Sequence, residues 1–173
     1  MTRAVSRPGT AAGPGSGRFT FIGPDTQGVS ISAIRYRESA VHLILSFLVD
    51  HMQFLWSGAR HRITGSEVSS SNGGDATLTI ESSVLRWQVS CDRKQLFLGV
   101  QPLHETRTWF DSQVVLDALT DEPLPSGQLV PQTARLIEES LDAIEAAFEE
   151  PAWAATKQRL KAAQRARSTR LFG

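Results

Sequence analysis

A single cysteine, Cys91, is all the thiol this chain has. One thiol cannot close an internal bridge, so a secretory disulfide framework is excluded. A tetrahedral zinc site built on paired cysteines is excluded with it. Charge of one sign is also lacking. Eighteen basic residues balance eighteen acidic ones, so no global field draws the chain toward nucleic acid or an anionic membrane. Long hydrophobic runs are absent too. The longest lies around Ala40–Val49, is closed by Asp50 and His51, and is too short to cross a bilayer. It sits too far in for a signal-peptide core, and no small-residue cleavage site follows it. Cytoplasm is therefore the expected compartment.

Catalytic signatures are equally scarce. The four histidines, His42, His51, His61 and His104, form no HExxH pattern and no close-spaced pair. There is no GxSxG. The GPGSG stretch near the start follows no strand and precedes no Lys-Ser/Thr, so it makes no phosphate loop. Asp121-Glu122 and Glu149-Glu150 lie next to prolines at element ends, where solvation accounts for them. Cys91 shares an alternating face with Leu85, Trp87 and Val89, as a small buried hydrophobe does. No metal, no cofactor and no catalytic residue is expected, and the chain reads as a non-enzyme.

What is present is ordinary for a globular protein: 173 residues, 40% of them hydrophobic, enough for one domain with a substantial core. Residues 1–18 are rich in Gly, Pro, Ala and Ser without apolar period and read as a disordered tail. Residues 19–173 read as a single α+β domain. Phe19–Ile22 is a short apolar run stopped by Gly23-Pro24. Val29–Arg35 reads as a weak strand or extended lead-in. Glu38–Trp56 carries apolar residues at helical spacing, among them Val41, Ile44, Leu45, Leu48, Met52 and Leu55. Leu43, Phe47, Val49 and Phe54 widen the stripe, which predicts a largely buried helix stopped at Gly58.

Arg60–Val68 is a weaker strand. A strict alternation follows: Ala76, Leu78 and Ile80; then Leu85, Trp87, Val89 and Cys91; then Leu96, Leu98 and Val100. The short linkers Ser82-Ser83 and Asp92-Arg93-Lys94 make this an antiparallel meander that Pro102 ends. Trp109–Leu119 reads as a short helix capped by Asp111 or Ser112. Pro131 opens a helix to about Glu149, and Ala152–Arg167 reads as another after Pro151. Strands followed by helices argue for α+β: a meander packed against an N-terminal helix and two to three C-terminal helices.

Two features point outward. Asp92 and Arg93 sit at a predicted hairpin tip, and Trp109 follows a polar loop, where aromatic and arginine side chains anchor protein interfaces. Charge is also split locally. Glu138, Glu139, Asp142, Glu145, Glu149 and Glu150 crowd one helix. Lys157, Arg159, Lys161, Arg165, Arg167 and Arg170 crowd the last segment, about 157–173. The two helices could pair with each other, the acidic face could attract a basic partner, or the basic segment could contact phosphates. Phe172 is the only aromatic near those bases, so interleaved stacking for single strands is missing.

The stretch Ala76–Leu119, with ATLTIES, then LRWQVSCDRKQLFLGV and its Asp-Arg hairpin, then WFDSQVVLDAL, resembles small bacterial immunity-like proteins of polymorphic toxin systems. It also resembles small bacterial families of no assigned role. Lys94 stands where such proteins often carry glycine. The resemblance implies a protein that binds and blocks a toxin without catalysis. Binding of a protein partner through Asp92, Arg93, Trp109 and the acidic series is the favoured expectation. A nucleic-acid-associated accessory role through the basic segment is the alternative.

Overall fold

The computed structural model describes residues 31–69, 75–120 and 127–172. The expected disordered tail, the Phe19–Ile22 run and the Asp121-Glu122 pair lie outside them. The described chain is an α+β fold. An antiparallel five-stranded sheet has the order β1-β2-β3-β4-β5, with helices before and after it.

The first helix, α1, spans Ile31–His51. The expected extended lead-in is thus helical from Ile31 on. Ile34 breaks strand alternation because it falls three residues after Ile31 and seven before Val41, which is a helical period. The helix also ends before Trp56. Met52 leaves helical geometry at φ −131° and ψ 35°. A 3-10 turn over Gln53–Leu55 follows, and it buries Met52 and Leu55 completely. At the helix end Leu48 O accepts from both the Met52 N–H at 3.1 Å and the Trp56 indole N–H at 3.0 Å, and Val49 O accepts from Gln53 Nε2 at 3.0 Å.

The meander forms as its alternation dictates, with an added strand at each edge. Strands β1 (Arg62–Val68), β2 (Ala76–Glu81), β3 (Leu85–Asp92) and β4 (Gln95–Pro102) pair in sequence, and β5 (Phe110–Asp111) closes the far edge. On one face Ala76, Leu78, Ile80, Leu85, Trp87, Val89, Cys91, Leu98 and Val100 are buried. Ala40, Ile44 and Leu48 of α1, four residues apart, belong to the same core.

The two inner turns solve the same problem differently. At the β2–β3 turn the Ser82 hydroxyl accepts from the Val84 and Leu85 N–H groups at 3.2 and 3.1 Å, a serine turn. At the β3–β4 turn Asp92 pairs with Gln95, leaving Arg93 and Lys94 as a two-residue loop with φ 49° and 65°. Both values are left-handed, as a type I′ hairpin demands, and neither residue is the Asn or Gly that takes this conformation cheaply. Lys94→Gly is therefore expected to stabilise the fold by about 1 kcal/mol, read as a higher urea midpoint at unchanged m value.

The expected helix from Trp109 starts later. Phe110 pairs with Val100 and Asp111 with Gly99 in extended conformation, so α2 runs Ser112–Thr120. Asp111 is its cap, with the Gln113 N–H donating to Asp111 Oδ1 at 2.8 Å. Helix α3 (Pro131–Phe148) begins on Pro131 as expected. Leu129 N–H donates to Leu96 O at 2.6 Å and ties that start to β4. Helix α4 (Glu150–Phe172) takes Pro151 into its first turn and buries Trp153 and Leu160. Phe148 and Trp153, 5.3 Å apart, form the corner between α3 and α4, and Phe110 meets both rings.

Candidate functional site

The residues expected to bind a partner fall into two separate places. Asp92, Arg93 and Trp109 belong to β3, its tip and the approach to β5. The acidic series belongs to α3, a different layer.

On the sheet face opposite the core, Thr79, Gln88, Gly99 and Asp111 follow one another across β2 to β5. Thr77, Ser90 and Phe97 form the neighbouring row. All of these are half-buried. Trp109 lies over Gly99: a methyl group added there would meet Trp109 Cε3 at 3.2 Å, so glycine lets the indole rest on the strand backbone. Trp109 stays 38% exposed. A third row, Glu81, Arg86 and Gln101, is wired across the strands. Arg86 donates to Glu81 at 2.6 Å and to Gln101 at 2.9 Å, and Gln101 donates on to Thr106 O at 3.0 Å. This row braces the sheet end from which the Trp109 loop departs. Asp92 and Arg93 stand exposed at the opposite end of β3, 3.8 Å apart.

The acids of α3 have mixed fates. Glu138, and Glu149 just past the helix end, are exposed. Glu139 pairs with Arg135 one turn away at 2.8 Å. Asp142 accepts from Arg60 at 2.9 Å, and the same guanidinium bonds Glu145. Glu145 is 9% exposed and also lies 3.1 Å from His61 Nε2, whose side chain is buried. Burial holds His61 below the ordinary histidine range; Glu145 opposes this and Arg60 reinforces it. Glu145 is thus inaccessible as a docking residue and serves as a brace between α3 and the entry to β1.

The expected pairing of acidic α3 with basic α4 is not how these charges are used. The seam between the helices holds Phe148 against Trp153, and Thr156 donates to Ala147 O at 2.7 Å. Bases of α4 reach other elements. Lys157 bonds Glu105 at 2.6 Å and lies 5.8 Å from the Trp153 ring centre, and the Trp153 indole donates to Glu105 at 2.8 Å. Those contacts, Lys157 first, hold the Glu105 carboxyl below the usual range. Arg167 donates to Gln113 Oε1 at 2.9 Å, and Arg170 to Asp117 at 3.0 Å. Arg159, Lys161 and Arg165 are exposed. Half of the basic segment is therefore committed to holding α4 on the fold.

Cys91 is buried, and burial pushes its thiol up, away from the thiolate a nucleophile needs. Asp111 is also pushed up by burial, against the pull of the Gln113 N–H. Among the described residues, no group of three or more His, Cys, Asp or Glu side chains is placed to hold a metal ion. No helix among them is long and apolar enough to cross a membrane.

Sequence reasoning missed one surface. Leu45 and Val49, read as part of a buried stripe, are 47% and 50% exposed. They lie roughly 200° around α1 from Leu43 and Phe47, which pack on the core. The signal was the width of the stripe, which is greater than one sheet can cover. Ile63 and Val68 of β1 are exposed as well, at 55% and 42%.

No protein-family model matches the chain, and no curated protein or solved structure matches it either.

Proposed function

We propose that the protein is a non-catalytic binding module that captures another protein on its outer sheet face, with Trp109 as the anchor. The observation that carries this reading is the indole laid on Gly99, partly exposed amid half-buried, mostly uncharged residues. A rigidly seated tryptophan contributes large contact area at little entropic cost and is the commonest kind of interface hot spot. Asp92 and Arg93 at the hairpin tip add charge at one margin of that face. Exposed acids of α3 would steer a basic partner without belonging to the same contact. The immunity-type role implied by the resemblance is one form of this reading: the partner is then a toxin, bound and neutralised in the cytoplasm.

Affinity capture of the tagged chain from its native host, at low and high salt, tests the reading. A stoichiometric, salt-resistant protein partner is expected, and Trp109→Ala should weaken its binding by about 2 kcal/mol or more. Near-identical circular dichroism for the variant would separate lost contact from lost fold. If salt-labile nucleic acid is captured instead and disappears when the exposed Arg159, Lys161 and Arg165 are replaced by glutamine, the accessory role through the basic segment replaces this one.

A further inference from the structure

Among the described residues, strand β1 is an edge of the sheet and is exposed along its length except at Gly65. An edge strand presents unpaired backbone donors and acceptors, which template another strand unless they are blocked. The register sorts its side chains by face. Ile63 stands opposite Ile80, and Val68 opposite Ala76, on the face that holds the core. Both remain exposed because α1 lies over β2 and β3. Arg62 stands opposite Glu81, and Glu67 opposite Thr77, on the outer face. Between them a bulge takes Thr64 out of the pairing count.

We propose that β1 pairs antiparallel with β1 of a second copy of this chain, about a two-fold axis at Gly65. With the axis there, Arg62 of each copy faces the partner's Glu67 on the outer face. Ile63 faces the partner's Ser66 and lies diagonal to the partner's Val68 on the inner face, within side-chain reach. An isologous contact requires one patch to complement itself. This strand meets that requirement with an acid and a base at positions the axis exchanges, exposed apolar residues on the other face, and a glycine at the point of closest approach. The two sheets become continuous, and the two Trp109 residues share one extended face. The inference stands apart from the identity of any other partner.

Sedimentation equilibrium of the full chain over a range of concentrations tests it. A dimer is expected. Arg62→Glu and Glu67→Arg should each weaken it about tenfold, since two symmetric attractions become repulsions. The double variant Arg62→Glu/Glu67→Arg should restore wild-type affinity. Both side chains are exposed, so circular dichroism should be unchanged throughout. A monomer at every concentration overturns the proposal. So does a dimer that neither reversal weakens, or one that the double variant fails to recover.

Discussion

Phe148→Ala should lower the stability of the fold by about 3–5 kcal/mol. Phe148 is the last residue of α3 and is fully buried. Its ring meets Phe110 from the strand edge at 6.4 Å and Trp153 from α4 at 5.3 Å, so one side chain joins the sheet, α3 and α4. Truncation removes the transfer energy of the ring and leaves a cavity that three separate elements cannot easily close. Domains of this size are stable by roughly 5–15 kcal/mol, so the loss takes a large share. Thermal unfolding should shift down by roughly 10 °C. Urea unfolding measures the effect directly. A loss below about 1 kcal/mol would mean that this corner is not close-packed.

Acid should destabilise the protein in a window set by His61. Its folded pKa lies below the ordinary value because burial disfavours the imidazolium. The unfolded chain therefore binds the proton first as pH falls. The stability that His61 contributes is complete above about pH 6.5 and is lost as pH falls from there through the folded value. The slope for one proton reaches at most about 1.4 kcal/mol per pH unit. His61→Gln, which cannot titrate, should flatten the stability profile in this window. Glu105 acts in a separate window: its depressed carboxyl contributes stability that falls away only below the ordinary glutamate value of 4.5. A profile still equally steep below pH 6.5 in His61→Gln would sink the assignment.

Neither effect could have been placed from sequence. His61 showed no ligand spacing, and its burial arises because the turn after α1 carries it against Glu145 of α3, 84 positions away in the chain. Phe148 was legible as a core residue from its place in the α3 stripe, but its ring partners were not. Trp109 follows a polar loop, which in the sequence marks a partly exposed patch, but it stands just before β5 and not in a helix. Helical spacing from Trp109 to Leu119 is real, yet the pairing of Phe110 with Val100 extends the chain and seats the indole on Gly99. The acidic and basic helices were legible as opposites in charge. Their charges nonetheless go to Arg60, Glu105, Gln113 and Asp117, because aromatic packing fills part of the seam between them.

By itself the sequence determined the meander from Ala76 to Pro102, the buried face of each of its strands, the start of α3 at Pro131 and the α+β class. These follow from the two-residue period of a strand and the fixed dihedral of proline, which neighbouring residues encode. Only the tertiary structure decided that Leu45 and Val49 stay exposed, that β1 is an edge among the described residues with its charges and apolar groups on opposite faces, and that Glu145 is a brace rather than a docking residue. Those outcomes depend on which distant segments meet and how much surface each can cover, and no local period records that.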